Sequence, residues 1–368
     1  MKLKVKANEV REVMSRSVLK TKKKEVIRDK DLLSTGSTLL NLALSGRPRG
    51  GYLKGKYFFI VGDSKSGKTW LSMTCLAEAA RNPEFDDYAF HYDNVEDGML
   101  ADVEKFFGKK AAARLEPPKL DKHGEPAFSS TIEDFYFNVD DLVKKGRPFI
   151  YVLDSMDGLT SKDEEKKFDE QKEASRNGKE TTGSYGDGKA KKNSAGMRKL
   201  LRGIRKTKSI LIVICQTRDN INGMFGETKT RSGGRALRFY ATAEFWSALV
   251  GQITKTIRGK KRKIGNYTQI QFKKNRLTGK EDQITIAIYP SYGLDDVGSC
   301  IDFMVEEGFW SGGKKGEKIN ARDLGVKSTR DKLVRICEDR RDDLVEAVAK
   351  AWRTLAEESA LQRRPRYE

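Results

Sequence analysis

The chain has 368 residues and a formal net charge of +19, the excess of 72 Lys and Arg over 53 Asp and Glu. That length allows one large domain or two modest ones around a sizeable core, and the basic excess calls for a polyanionic partner. No apolar run approaches the roughly 18 residues of a membrane span, and the basic N-terminus lacks the apolar stretch of a secretory signal, so a cytoplasmic protein is expected.

Residues 1–31 read as a basic arm, a candidate oligomerisation segment, because the first 30 residues carry eleven Lys or Arg against four Asp or Glu. A short helix fits Asn8 to Leu19. From Leu32 the texture changes to STGSTLLNLALSG, turn formers followed by an apolar set at helical spacing. Next come the apolar run Tyr57 to Val61, the loop GDSKSGKT, and an amphipathic stretch from Thr69 to about Arg81. Further strands are predicted at Tyr88 to Asp93, Phe149 to Leu153 and Ile210 to Cys215, with helical stretches between them. Strands alternating with helices predict an α/β fold with a mostly parallel, doubly wound sheet. Beyond Gly234, the runs AEFWSALV, YTQIQFKKN and DQITIAIYP predict an antiparallel extension, with KTIRGKKRKIGN as the turn between the first two. The core is expected over 32–300, and 301–368 as a small, mainly helical C-terminal domain. It closes with a helix around Asp342 to Ala360, where Leu344, Val348, Ala351, Trp352 and Leu355 share a face. Cys75, Cys215, Cys300 and Cys337 are too dispersed for a zinc cluster or a disulfide framework.

The motif Gly62-Asp63-Ser64-Lys65-Ser66-Gly67-Lys68-Thr69 follows a predicted strand and opens a helix, the context of a phosphate-binding P-loop. Its glycines let backbone N–H groups wrap phosphates, Lys68 reaches the outer phosphates of ATP, and the Thr69 hydroxyl ligates Mg2+. Asp154, ending the apolar strand PFIYVLDS, is the candidate second Mg2+ group. Hydrolysis also needs a carboxylate to polarise water, and Asp93, Glu96 and Asp97 follow the second strand; Glu96 is preferred. Gln216, at the tip of the fourth strand, can report the γ-phosphate to the segment after it.

Together, STGSTLLNLALSG, GDSKSGKT, VLDSMDGLTSKDE and above all QTRDNINGMFGETKTRSGGRALRFYATA resemble the RecA recombinase family, including its phage UvsX-type members, in order and spacing. The resemblance covers roughly residues 33 to 300 and continues more weakly to about 358. It implies that Lys68 and Thr69 bind phosphate and Mg2+, that Asp154 is the Walker B acid supported by Ser155, and that Gln216 is the sensor joining ATP to DNA. It makes the segment from about Thr217 to Arg235 the second DNA-binding loop, with Met224, Phe225 and Gly226 at its centre and Gly233 and Gly234 closing it. The first DNA-binding loop would lie between Thr160 and about Ser194. Lys274 and Arg276, in QFKKNRL, match basic residues that complete the ATP site of the adjacent protomer.

Three departures from the family pattern stand out. The acidic spacing after the second strand, Asp93-Asn94-Val95-Glu96, is one residue longer, which leaves the catalytic carboxylate open between Glu96 and its neighbours. A long polar insertion, DEEKKFDEQKEASRNGKETTGSYGDGKAKKN, is expected to be disordered in the free protein. The N-terminal arm differs in detail from the family's polymerisation segment, which puts filament assembly in question.

The positive charge is concentrated. Lys189 to Lys208 holds nine Lys or Arg and no acid, and Lys191, Lys192 and Arg198 are its candidate DNA contacts. In the second loop, Arg218, Lys229, Arg231 and Arg235 surround Phe225, a pattern suited to phosphates and unstacked bases. Lys255 to Lys263 is a third cluster, open between DNA contact and a solvated turn. The combined expectation is an ATP-dependent DNA recombinase that forms helical filaments on single-stranded DNA with ATP at the protomer interface, pairs homologous duplex, and works with single-strand-binding or mediator proteins. A hexameric RecA-fold helicase and a non-filament accessory ATPase are the alternatives.

Overall fold

The computed structural model describes residues 27–96, 102–177, 188–219, 229–231, 234–313 and 316–364. Nine strands form the main sheet: β1 (Lys56–Gly62), β2 (Ala89–Asn94), β3 (Phe149–Asp154), β4 (Ile210–Asp219), β5 (Lys229–Arg231), β6 (Ala243–Ile257), β7 (Lys260–Asn275), β8 (Gln283–Tyr289) and β9 (Gly293–Asp295). Their order is β9-β8-β7-β6-β1-β4-β3-β2, with β5 paired to the far end of β4. The five strands from β6 to β2 are parallel, and the β6-β7-β8-β9 side is antiparallel. This is the expected architecture, and it places the C-terminal tips of β1, β2, β3 and β4 along one edge.

Both faces of the sheet are covered, which is why its central strands are apolar without alternation. Phe58 and Ile60 of β1 face a core shared with α1 (Thr38–Ser45) and α2 (Lys68–Ala80). Tyr57, Phe59 and Val61 face the other way, into a second core shared with α3 (Ile132–Lys145) and the helix at Gly188–Thr207. Helix α3 starts where its sequence dictates: the Thr131 hydroxyl and the Asp134 carboxylate form a reciprocal capping box, and Gly146 ends it in a left-handed conformation at φ 76°.

The insertion departs from expectation. Lys162–Arg176 forms a helix, α4, opened by a capping box between Ser161 and Glu164, and α5 (Gly188–Thr207) follows. None of the α4 residues is buried, so its helicity rests on capping and on i,i+4 pairs such as Lys166–Glu170. Residues 178–187 lie outside the described residues.

The segment KTIRGKKRKIGN is also more ordered than a turn. β6 continues to Ile257 and β7 resumes at Lys260, with only Arg258 and Gly259 between them, both at positive φ (49° and 73°). Two successive positive-φ residues are what a type I′ two-residue hairpin requires. After the short helix α6 (Arg235–Tyr240), the chain re-enters the sheet at β6.

Helix α7 (Asp296–Glu306) spans the boundary expected at 300/301, and with α8 (Arg330–Asp339) and α9 (Arg341–Glu358) it contributes to the same core as α1 and α2. A two-stranded hairpin, Ile319–Ala321 with Val326–Ser328, accompanies these helices. Leu344, Val348 and Ala351 are buried, and Trp352 packs on Phe303 at 5.8 Å between ring centroids. The four cysteines are buried and form no disulfide with one another, and no helix among the described residues is long and apolar enough to cross a membrane.

Candidate nucleotide site and its link to the 217–235 segment

The loop between β1 and α2 is shaped by its glycines. A Cβ on Gly62 would sit 2.2 Å from Ser247 Oγ, so glycine is what lets β1 end against β6. Gly67, at φ 87°, caps α2 without a side chain, and a Cβ there would meet Ile288 Cδ1 at 2.4 Å. The N-terminus of a 13-residue helix is thereby presented bare, with its N–H groups and dipole available to an anion. Ser66 is buried, and its hydroxyl donates to the Asp63 carbonyl at 2.7 Å, closing the loop. Ser64 and Lys65 form its outer rim, Lys65 in a left-handed conformation at φ 64°.

Lys68 curls back over this loop, donating to the Gly62 and Asp63 carbonyls at 2.9 and 2.7 Å. Burial lowers its pKa, opposed by the surrounding carboxylates of Asp154, Glu96, Asp157 and Asp63. Thr69 Oγ1 donates to Asp154 Oδ2 at 2.6 Å, which joins the two expected Mg2+ groups, and Tyr92 donates its hydroxyl to the same oxygen at 2.9 Å. Burial and Asp154 push the Tyr92 phenol well up, so it stays a donor. A paired hydroxyl and carboxylate of this kind fit a hard divalent cation.

Tertiary contacts set Asp93, at the end of β2, apart from Glu96 beyond it. Asp93 is buried and fully engaged, accepting from Ser129 N at 3.0 Å, Ser129 Oγ at 2.6 Å and Tyr151 OH at 2.5 Å. Glu96 instead sits at the strand tips: Ser155 donates to its Oε1, and Gln216 Nε2 donates to both carboxylate oxygens at 3.0 Å. Asp97 lies outside the described residues. Gln216 is held from behind, its backbone N–H donating to Asp157 Oδ2 at 2.5 Å. The next residue, Thr217, donates its hydroxyl to the P-loop carboxylate of Asp63.

Beside the P-loop lies a cavity of about 460 Å3, lined by Lys65, Gly67, Trp70, Asn266, Ile288 and Pro290 among others. Thr268 Oγ1 and Asn266 Oδ1, on the strand that walls it, are buried without a hydrogen-bond partner. Orphaned polar atoms in a partly apolar cavity next to a phosphate cradle fit a nucleoside. A larger cavity, about 1100 Å3, lies far from these groups between the N-terminal edge and α9.

Tyr92, Asp157, Asn266 and Thr268 were not foreseen from sequence, and Thr217 only as the start of the second DNA-binding loop. Only Asp157 left a signal there, two residues beyond Ser155 in VLDSMDG.

The cations expected at DNA divide into two groups. Lys191, Arg198, Arg218 and Arg235 are exposed, with Arg218 3.7 Å from Asp157. Lys192 and Arg231 are paired with carboxylates of the protein itself. Lys192 pairs with Glu133 and, at 2.8 Å, with Asp163, while Arg231 is 13% exposed and 3.3 Å from the buried Glu244. Gly234, at φ 79°, opens α6. Met224, Phe225, Gly226, Gly233 and the side chain of Lys229 lie outside the described residues.

Lys274 and Arg276, expected to reach an adjacent protomer's nucleotide, hold the end of α6. Lys274 Nζ donates to the carbonyls of Arg238 and Phe239 at 2.6 and 2.8 Å, and Arg276 donates to that of Phe239 at 2.9 Å. Burial and then Arg276 lower the Lys274 pKa to about 8.

The family model for the RecA N-terminal domain matches residues 3–295. The chain belongs to the RecA family. It is similar to the protein named RecA from Cytophaga hutchinsonii, 31% identical over 77% of this chain and 71% of that one. It is also similar to RecA from Agrobacterium fabrum, 27% identical over 84% and 76%. A crystal structure of the RadB recombinase overlays 72% of this chain and 99% of its own at a TM-score of 0.47 and 17% identity. The P-loop, the Asp154 strand and the whole 217–235 segment of this RecA-family chain fall inside the matched region.

Proposed function

We infer that this RecA-family chain is an ATP-dependent DNA recombinase. It binds single-stranded DNA, assembles with ATP at the protomer interface, and promotes homologous pairing and strand exchange. The observation that carries this reading is the hydrogen-bond pair from Gln216 to Glu96, which ties the nucleotide site to the first residue before the 217–235 segment.

In this reading, ATP with Mg2+ supplies the γ-phosphate and the charge that bias Gln216. Lys68 and the bare N-terminus of α2 hold the phosphates, while Thr69 and Asp154 hold the metal. Glu96, positioned by Ser155 and Gln216, orients and deprotonates the attacking water. When Gln216 shifts its bonds from Glu96, the stem that begins at Thr217 moves with it, and affinity for the strand changes.

Electron microscopy with single-stranded DNA and a slowly hydrolysed ATP analogue tests assembly. Helical filaments are expected; closed rings would favour a helicase, and unassembled protein an accessory ATPase.

The β6–β7 hairpin carries a second expectation. Lys255 and Arg262 face each other across the ribbon, and Arg258, Lys260, Lys261 and Lys263 crowd the same exposed tip. Like charges directly opposite destabilise a ribbon, and a bound phosphate backbone removes that penalty. Changing Lys255, Lys260, Lys261 and Arg262 to Gln should reduce the slope of log affinity against log salt for duplex DNA by about 2 or more, at about 0.9 per phosphate contact. An unchanged slope would leave the tip as a solvated turn.

A further inference from the structure

The 217–235 segment leaves the sheet from β4 and returns through β5 and α6, and one buried carboxylate holds the return. Glu244, the second residue of β6, has no exposed surface. Its Oε1 lies 3.3 Å from Arg231 Nε on β5, and its Oε2 lies 3.0 Å from Arg238 Nε on α6. Trp246 Nε1 also donates to Oε1, at 3.1 Å. A buried carboxylate persists only where cations and donors offset its desolvation. Here the cations come from the two elements that bring the segment back to the sheet.

The same carboxylate neighbours a second set of ties. Glu244 is paired with Lys274 across β6 and β7, and Lys274 and Arg276 cap the last carbonyls of α6. Arg238 in turn donates to the Lys273 carbonyl at 3.2 Å. On the departing side, Arg231 is paired with Thr217 across β4 and β5, and Thr217 bonds to Asp63 of the P-loop. The contacts are therefore continuous from the P-loop through Thr217, Arg231, Glu244 and Arg238 to Lys274.

We propose that Glu244 is a positioning residue that locks the return stem of the 217–235 segment to the sheet, so that the stem, Lys274 and Arg276 move as one body. Without its charge, Arg231, Arg238 and Lys274 repel one another in a half-buried site, and the stem swings toward solvent. With it, the cations stay in place and the surface keeps a net positive charge. The inference rests on the reading that this segment binds single strands.

The test uses the full chain, a fluorescein-labelled oligothymidylate, and Mg2+ with a slowly hydrolysed ATP analogue, read by anisotropy. Glu244→Gln keeps an acceptor for Trp246 and removes the charge; Arg231→Gln removes one arm of the clamp. Each is expected to raise the half-saturating concentration by about 5- to 20-fold, and the double variant by no more than the larger single effect, because both break one link. The slope against log salt should stay at its wild-type value, since a positioning link neutralises no phosphate. Additive losses, or a slope reduced by about 0.7 in Arg231→Gln, would make Arg231 a direct phosphate contact and overturn the proposal, as would wild-type affinity in both variants. Thermal unfolding identifies a variant that fails to fold; should Glu244→Gln do so, Arg231→Gln and Arg238→Gln form the same cycle with the same expected sub-additivity. Absence of strand binding by the wild-type chain would instead refute the functional reading beneath.

Discussion

Replacing Lys68 with alanine should abolish ATP turnover, lowering it by about 10³-fold or more, the cost of removing a preorganised charge aimed at a reacting phosphate. The ammonium is buried and held beside the loop by two P-loop carbonyls. Desolvation disfavours its charge and lowers its pKa, and the four nearby carboxylates oppose that in part. A bound phosphate would add to that compensation and draw the ammonium off the carbonyls. The loop backbone is also fixed by Gly62, Gly67 and the Ser66 hydroxyl, so the variant should still fold, with thermal unfolding as the check. A malachite-green phosphate assay measures the loss. Normal turnover by this variant would remove the P-loop from the chemistry.

Glu96→Gln should lower kcat by about 10² to 10⁴, the range of general-base catalysis, while changing nucleotide affinity by no more than a few-fold. The separation follows from geometry. Glu96 hydrogen-bonds to Ser155 and Gln216, beyond β3 and within β4, and acts on the P-loop through the charge of Lys68. Glutamine keeps one acceptor for Ser155 or Gln216, so the strand tips should hold their shape. Single-turnover hydrolysis alongside equilibrium binding of a fluorescent ATP analogue separates the two quantities. Wild-type hydrolysis would reduce Glu96 to an anchor for Gln216 and move the base to Asp97.

The parts legible in the sequence are those whose physics is local. A P-loop needs glycine where backbones approach, at 62 and 67, and nothing else in the chain competes with that pattern. The strands from β1 to β4 are unbroken apolar runs because both faces are buried, and Asp154 is visible as the polar residue ending one of them. The sequence preferred Glu96 to Asp93 but could not show that Asp93 is engaged elsewhere. They are close in the chain, and the Asp93 partners are remote: Ser129 is 36 residues away and Tyr151 is 58.

The same limit explains Arg231 and Lys192, which composition assigns to DNA. Only the fold brings Glu244, Glu133 and Asp163 against them. In the hairpin, cations interrupt the apolar alternation and hide the strands. In the insertion, a polar surface without an apolar stripe hid α4, although the Ser161 and Glu164 cap was there to read.

The central claim is that the nucleotide decides when a single strand is held, through Gln216. Oligothymidylate affinity, measured with Mg2+ and either a slowly hydrolysed ATP analogue or ADP, tests it most directly in wild type and Gln216→Ala. The account predicts at least tenfold tighter binding with the analogue, about 1.4 kcal/mol of coupling, and a ratio near one in the variant. Equal affinities in wild type, or an undiminished ratio in Gln216→Ala, would contradict it.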